Sequence, residues 1–286
     1  MSNKEYEDLI SRVITKKSKH PEVKGPKIEY GGAEYNGGTD FDISWFCASM
    51  PFAIHEGVHT THDFDEFLCF ASGNPHNMNE FQAKIEIELG EKNEKRLITE
   101  PTVLYLPKGF SHGKIIVKKV DKPFSYIKIC LPKYSKNIPL TEIQLDKLFT
   151  KPSIKTRTIK EQYYIDKNLV REEKKHMQTL SYEGKDAGGV NFTMYWHVIK
   201  EPLVLYKPPH VHDYKQYELF YGGNPMNVNK FNSEIDIYLG EEAEKYLIDC
   251  TSIVHIKEGL VHRQVDFRIV DKPVYFINFF LSPECA

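Results

Sequence analysis

The chain has 286 residues, of which 41% are hydrophobic, and a formal net charge of −2. This length allows two domains of ordinary size, each with its own buried core. The balanced charge argues against nucleic acid or an anionic membrane as a partner. No apolar run is long enough to span a membrane, and the first residues lack the apolar core of a signal peptide, so we expect a cytoplasmic protein.

The N-terminal segment, residues 1–35, is predicted to form a helix followed by an arm. Apolar side chains recur at helical spacing and predict a helix over 4–17. These side chains are Tyr6, Leu9, Ile10, Val13 and Ile14. The helix would cover one of the following units or pack on a partner chain, so a homodimer is one of the two arrangements it allows.

Short strands separated by turn signals are predicted for residues 36–135. In the sequence KIEIELG, Ile85, Ile87 and Leu89 alternate with glutamates, which is typical of a half-buried strand. Aromatic and β-branched runs bounded by glycine and proline lie on both sides of it. Such a series favours an all-β sandwich or barrel over helices that cross a parallel sheet.

An internal repeat organises the chain. Residues 73–98 and 223–248 align without a gap, with 15 of 26 positions identical. The same spacing of 150 relates His62 to His212 and also relates two VDKP sequences further along the chain. A repeat of this length indicates one structural unit that occurs twice.

Residues 136–180 are predicted to connect the two units, and the second unit spans 181–286. The connection begins with a basic stretch, which fits either a patch for an acidic partner or a solvated linker. Acidic residues are interspersed and no aromatic base-stacking pattern is present, so we favour the linker. Short helices are predicted over 140–149 and 168–180.

Histidines with metal-ligand spacing lie in the second unit. His210 and His212 leave the same face of an extended chain, and His262 follows 50 residues after His212, behind a glycine turn. Gln216 and Glu218 share that face if the chain stays extended. Two imidazoles, a third from a later strand and a nearby oxygen fit a divalent transition metal. A lone histidine is better explained as a surface or core residue, but this combination favours a metal site.

The first unit keeps part of this pattern. His62, Glu66 and His112 stand at equivalent positions, whereas Thr60 replaces the first histidine. The adjacent His59 would face the other side of the strand unless the strand bulges. Three ligands with an open position can suffice, so we expect the first unit either to bind a metal more weakly than the second unit or to bind none.

The histidine patterns resemble the two motifs of cupins. The first cupin motif is HxH, three or four residues, Glu, six residues and Gly, and the second is PxGxxH. In the second unit, Gln216 replaces the glutamate and Lys257 replaces the proline, while the histidines and both glycines match. In the first unit, Thr60 departs from the first motif, and PKGFSH at 107–112 matches the second motif fully.

This resemblance implies both the fold and the kind of site. We expect an all-β chain with two tandem cupin barrels (a double-stranded β-helix or jelly roll) and a few flanking helices. Inside the second barrel, the resemblance implies a divalent transition metal (Fe, Mn, Ni or Zn) bound by His210, His212, His262 and Gln216. A small-molecule ligand would bind beside the metal at the mouth of the barrel.

Two functions fit this site. The first is a metal-dependent enzyme of dioxygenase, decarboxylase or isomerase type that acts on a small anionic or phenolic molecule. Three neutral imidazoles and the neutral Gln216 leave the metal its full positive charge, which suits an anionic substrate. Glu218 is either the fourth ligand in place of Gln216 or a general base.

The second function is non-catalytic, a small-molecule-binding or structural protein whose metal only stabilises the barrel. A transcription regulator is disfavoured, because the sequence has no recognisable DNA-reading segment.

Overall fold

The computed structural model describes residues 4–13, 15–23, 25–31, 41–135, 138–166, 169–206 and 208–284. In these residues almost all regular structure is β-strand, and the helical elements are short 3-10 turns. The turns are Glu7–Leu9, Leu140–Glu142, Leu145–Leu148 and Gly184–Ala187. The all-β prediction is therefore confirmed, with the flanking helices reduced to single turns. No helix in the described ranges is long and apolar enough to cross a membrane.

The first unit consists of two antiparallel sheets. The seven-stranded sheet contains, in spatial order, β12 (Phe149–Thr150), β9 (Thr102–Leu106), β6 (Asp65–Ser72), β11 (Phe124–Leu131), β4 (Asp42–Ala48), β3 (Pro26–Tyr30) and β2 (Thr15–Lys17). The four-stranded sheet contains β5 (Phe52–His55), β10 (His112–Val120), β7 (Ala83–Leu89) and β8 (Glu94–Ile98).

The second unit also consists of a seven-stranded and a four-stranded sheet. The larger sheet contains β1 (Ile10–Arg12), β20 (Ser252–Ile256), β17 (Gln216–Gly222), β22 (Val274–Phe280), β15 (Thr193–Ile199), β14 (Leu169–Glu183) and β13 (Ser153–Asp166). The smaller sheet contains β16 (Leu203–Leu205), β21 (His262–Val270), β18 (Ser233–Leu239) and β19 (Glu244–Ile248).

The two units share their central strand order and register. The order β9-β6-β11-β4 in the first unit matches β20-β17-β22-β15 in the second. Lys128 on β11 pairs with Leu68 on β6, and Asn278 on β22 pairs in the same way with Glu218 on β17. Residues that the repeat makes equivalent in sequence therefore occupy equivalent positions in the sheets.

Alternation along the central strands sends their side chains into two different cores. On β6, Phe67 and Cys69 lie in a core that the two seven-stranded sheets share, whereas Leu68 and Phe70 face the four-stranded sheet of the first unit. Strand β17 divides its side chains in the same way. The result is four layers with the seven-stranded sheets innermost.

The same parity positions the polar residues of the predicted site. Gln216 and Glu218 lie on the face of β17 that also carries Phe220, which packs in the core of the second unit. Glu66 has the equivalent place on β6 of the first unit. Both strands therefore turn their polar side chains towards the interior of their own unit.

The predicted N-terminal helix is wrong. The segment forms β1, which pairs with β20 of the second unit, and β2, at the edge of the first unit's larger sheet. Leu9 and Val13 are buried, as their apolar character requires, but they lie on either side of β1, Leu9 at the end of a 3-10 turn and Val13 directly after the strand. The amide of Val13 donates to the carbonyl of Thr251 at 2.9 Å, so the backbone satisfies its hydrogen bonds on another strand. Ile14 and residues 36–40 lie outside the described residues.

The predicted helix over 168–180 is also wrong. Its described residues lie in β14, which forms a long hairpin with β13 at the edge of the second unit's larger sheet. Residue 168 lies outside the described ranges. The helix expected over 140–149 is two 3-10 turns followed by β12, which pairs with β9. The segment predicted to be a solvated linker thus contributes strands to both units.

Candidate metal centre

The histidines of the second unit are brought together by one pairing of strands. His210 and His212 lie between β16 and β17, and His262 begins β21. A bridge between His210 and His262 joins the two segments through backbone hydrogen bonds of 3.0 and 3.1 Å. The turn before β21 contains Gly259 at φ 74°, a conformation open to glycine. The amide of Gly259 donates to the carbonyl of His212 at 2.9 Å, which holds His212 against the turn before β21.

The three imidazoles converge, and hydrogen bonds fix the tautomers of His210 and His262. One ring nitrogen of each lies within 4.8 Å of the others. The Nδ1–H of His262 donates to the Leu260 carbonyl at 3.0 Å, and that of His210 donates to the Pro208 carbonyl at 2.9 Å. These bonds leave Nε2 of each ring as the lone-pair nitrogen. The Nε2 of His262 is buried and has no hydrogen-bond partner within the described ranges.

Burial favours the neutral form of two of these rings, His212 and His262. Burial lowers the pKa of His262 to about 4, despite its hydrogen bond to a carbonyl. Burial also lowers the pKa of His212, and the neighbouring His210 adds to this effect. Neutral imidazole with its second nitrogen hydrogen-bonded to a carbonyl is the form that binds metal ions. The donor set therefore fits a metal ion.

Next to the histidines, β17 supplies an amide and a carboxyl group. The Nε2 of Gln216 donates to Glu218 Oε1 at 3.1 Å and to Asn278 Oδ1 at 2.8 Å. The Oε1 of Gln216 is buried, with no hydrogen-bond partner in the described part of the chain. Burial raises the pKa of Glu218 to about 8, against the opposing effect of the Gln216 amide. Without a cation nearby, this carboxyl group holds its proton at neutral pH.

A cavity of about 400 Å³ joins these groups. The three histidines line it together with Gln216, Glu218 and Asn278. Its apolar wall consists of Tyr206, Pro208, Val211 and Phe280. Among its described lining residues, Arg263 is the only lysine or arginine. The cavity is within the size range of small-molecule sites and combines apolar walls with a few convergent polar groups.

The first unit brings together His62, Glu66 and His112. The ligand atoms of these three residues also lie within 4.8 Å of one another. The Nε2 of His62 is 3.1 Å from Glu66 Oε2 and 3.3 Å from His112 Nε2. Thr60 stands where the second unit has His210, and its Oγ1 lies 2.9 Å from the Nε2 of His55. This site therefore offers two imidazoles and one carboxylate.

Two residues of the first unit's site were not predicted from the sequence. Lys128 Nζ lies 3.1 Å from Glu66 Oε1, and the ring of His55 lies 5.2 Å from that of His112. The repeat carried a signal for Lys128, because it stands 150 residues before Asn278. No motif marked His55, which approaches the site from β5 of the smaller sheet.

The remaining histidines near the sites make contacts elsewhere. His59 has a φ of 53°, and its Nε2 lies 3.3 Å from Asn93 Nδ2, away from the cluster around His62. His197 is fully buried, and its Nδ1 lies 2.9 Å from Thr179 Oγ1. Its Nε2 lies 3.4 Å from the hydroxyl of Tyr206, so His197 is in contact with the cavity wall but is not one of the three converging histidines.

The sequence matches no protein-family model and none of the curated proteins. Its fold is similar to several solved structures. AerE from Microcystis aeruginosa aligns with a TM-score of 0.55 and 10% identity, covering 96% of this chain and 98% of AerE. A mutant of Bacillus subtilis oxalate decarboxylase aligns with a TM-score of 0.57 and 10% identity, over 97% of this chain and 78% of the enzyme. The formate complex of Lactobacillus farciminis oxalate decarboxylase aligns with a TM-score of 0.57 and 10% identity, covering 97% of this chain and 87% of the enzyme.

These likenesses extend over nearly the whole chain and include both units. At 10% identity they concern the fold alone. The fold is also the property that the histidine motifs implied, and the strand order of the two units agrees with it. The chain is therefore a protein of the cupin fold.

Proposed function

We propose that the second unit binds one divalent transition metal and is the active site of a metal-dependent enzyme. The observation that carries the proposal is the convergence of His210, His212 and His262, with the lone pair of His262 Nε2 buried and unpartnered. A buried polar atom without a partner costs free energy that a bound ligand recovers. Three imidazoles with neighbouring oxygens suit iron, manganese, nickel or zinc.

Gln216 is the proposed fourth ligand, through Oε1. Both hydrogens of its amide are directed to Glu218 and Asn278, so the amide oxygen is the atom available to bind the metal. When bound, the metal supplies a positive charge that stabilises negative charge on a substrate. Because all four proposed ligands are neutral, the ligands themselves cancel none of that charge.

Glu218 is the proposed catalytic residue, as a general acid or base. It lies inside the cavity beside Gln216, two residues further along the same face of β17. Its carboxyl group is buried, so it keeps its proton until a substrate or cation alters its surroundings. In this role it gives a proton to, or takes one from, a substrate held in the cavity. The first unit has Leu68 at the equivalent place, so the group belongs to the second unit alone.

The cavity favours a small substrate with an anionic or phenolic group. Its apolar wall suits a hydrocarbon or aromatic part, and Arg263 and the metal suit a negative charge. Dioxygenase, decarboxylase and isomerase reactions are all compatible with this arrangement. Two of the similar structures are named oxalate decarboxylase, so decarboxylation of small carboxylic acids is the first reaction to test.

The test is a screen of small carboxylic acids and phenols with metal-loaded protein, followed by two variants. His212→Ala is expected to lose both the metal and turnover. Glu218→Gln is expected to keep the metal and slow turnover by roughly 10²–10⁴-fold, the usual loss on removing a general acid or base. His76→Ala, at an exposed histidine, is the matched control and should change neither property.

Other outcomes would contradict parts of this proposal. If Glu218→Gln weakens metal binding, Glu218 is a ligand and Gln216 is not the fourth donor. If the metal-loaded protein turns over nothing in the screen, while the metal still raises its melting temperature, a non-catalytic cupin with a stabilising metal explains the site better.

A further inference from the structure

The first unit contains a cavity whose charge differs sharply from that of the second. It has a volume of about 320 Å³ and lies around His62, Glu66 and His112. Five lysines line it: Lys16, Lys17, Lys19, Lys27 and Lys128. Glu29 and Glu66 are its only described acidic residues. Counting the five lysines and the two glutamates, the lining therefore has a net charge of +3.

The acidic side chains of this cavity are already paired. Glu29 lies 3.3 Å from Lys16 Nζ and 2.6 Å from Lys27 Nζ. Glu66 is paired with Lys128 at 3.1 Å. The excess positive charge is thus not balanced by carboxylates of the cavity itself. Lys17 and Lys19 have no ion-pair partner among the described residues.

The lysines converge from three separate parts of the chain. Lys17 and Lys19 come from the N-terminal arm at and after β2, Lys27 from β3, and Lys128 from β11 in the middle of the larger sheet. Like charges gathered around one cavity repel one another, and a bound anion relieves that repulsion.

Lys128 also changes what the site of the first unit can bind. Its ammonium group contacts the carboxylate that would otherwise serve as a metal ligand. In the second unit, neutral Asn278 holds the equivalent position on β22. The first unit therefore has a fixed cation beside its histidines where the second unit has an amide.

We propose that the first unit is a metal-independent binding site for a small, multiply charged organic anion. Lys17, Lys19 and Lys128 supply the charge, and the rings of His55 and His112, which line the same cavity, are positioned to supply hydrogen bonds. The second unit's cavity has one arginine and a carboxyl group among its described lining residues, so it lacks this character. This site is independent of the enzyme proposed for the second unit.

The test is calorimetric titration of metal-stripped full-length protein at low ionic strength. Citrate and pyrophosphate are the probes, which separates carboxylate from phosphate chemistry, and glucose is the neutral control. We expect at least one anion to bind with one equivalent per chain, glucose to give no binding, and added salt to weaken the complex.

Variants locate the binding in the first unit. Lys128→Met and the double variant Lys17→Met/Lys19→Met should each weaken anion binding by about tenfold or more, since a hydrogen bond to a charged group is worth about 1.5–3 kcal/mol. Lys84→Met removes an exposed lysine outside the cavity and should leave the affinity unchanged. His212→Ala, which disables the second unit's metal site, should also leave it unchanged.

Three results would overturn the proposal. These are no binding of either anion at millimolar concentration, equal weakening by Lys84→Met, and loss of binding in His212→Ala. If Lys128→Met does not fold, the exposed pair Lys17 and Lys19 still decides the question. The failure of anion binding would not affect the metal content of the second unit, so the two proposals fail separately.

Discussion

Replacing Lys128 by Asn is expected to destabilise the protein unless Glu66 is replaced by Gln at the same time. Glu66 is only 3% exposed at its side chain, whereas Lys128 is 36% exposed. Removing one partner of a buried ion pair costs about 3–5 kcal/mol, and the partial exposure of Lys128 places this pair below that range, at about 2–3 kcal/mol. Glu66→Gln alone should cost about 1 kcal/mol, because the lysine head group can turn to water.

The double variant recreates in the first unit the pair that the second unit already has. There, Gln216 Nε2 donates to Asn278 Oδ1 at 2.8 Å between the same strand positions. An amide hydrogen bond of this kind contributes about 1 kcal/mol and leaves no charge buried. We therefore expect the double variant to come within about 1 kcal/mol of the unmodified protein.

The assay is urea unfolding at pH 7, followed by circular dichroism for all four proteins of the cycle. A parallel cycle on Glu86 and Lys95, an exposed pair 3.2 Å apart, is the control and should give a coupling of no more than about 1 kcal/mol. The reasoning is refuted if the double variant is as unstable as the sum of the two single variants.

Further predictions concern the metal and the pH dependence of stability. Thr60→His combined with Lys128→Asn should add a second tight metal equivalent, because it supplies a third imidazole and removes the fixed cation. A single equivalent in isothermal titration of that variant would count against this. Burial lowers the pKa of His197 to about 3. Between about pH 6.5 and 3 the unfolded chain therefore binds a proton at this histidine that the folded chain does not bind. The protein loses stability as the pH falls through that range. At 1.36 kcal/mol per pKa unit, the loss approaches roughly 5 kcal/mol at the acid end. In urea unfolding at pH 4.5 and 7.5, His197→Gln should show a smaller difference than the unmodified protein, and an equal difference would contradict the assignment.

The strands of the two units were predictable because their residues alternate or repeat. Ile85, Ile87 and Leu89 are buried on one face of β7, as their spacing from the glutamates indicates. Because the sequence repeats, the same strand prediction applies to the second unit. The convergence of the three histidines agrees with the motif spacing, although His210 and His212 lie between β16 and β17 and not on a strand.

The N-terminal segment was mispredicted as a helix because apolar residues three or four positions apart also occur in a segment that packs against two different hydrophobic cores. Leu9 and Val13 are buried, but three-residue strands such as β1 are too short to show a period of two. The sequence of β14 is rich in Glu and Lys, which favours a helix locally, whereas pairing with β13 and β15 decides the outcome. Pairing with these neighbouring strands leaves no signal within the segment itself.

The lysines that make the first unit's cavity positively charged were also not predicted from the sequence. Lys128 faces the site only because β11 lies beside β6 in the sheet, so that its side chain reaches Glu66. Lys17 and Lys19 line the same cavity only because the N-terminal arm is extended along β3. Neither arrangement can be read from a motif.

The central claim is that His210, His212 and His262 hold a metal ion in the second unit. Elemental analysis of protein purified without an affinity tag tests it most directly, with His212→Ala and the control His76→Ala prepared in the same way. We expect a transition metal at about one equivalent in the unmodified protein and in His76→Ala, and almost none in His212→Ala. Full metal occupancy in His212→Ala would contradict the claim.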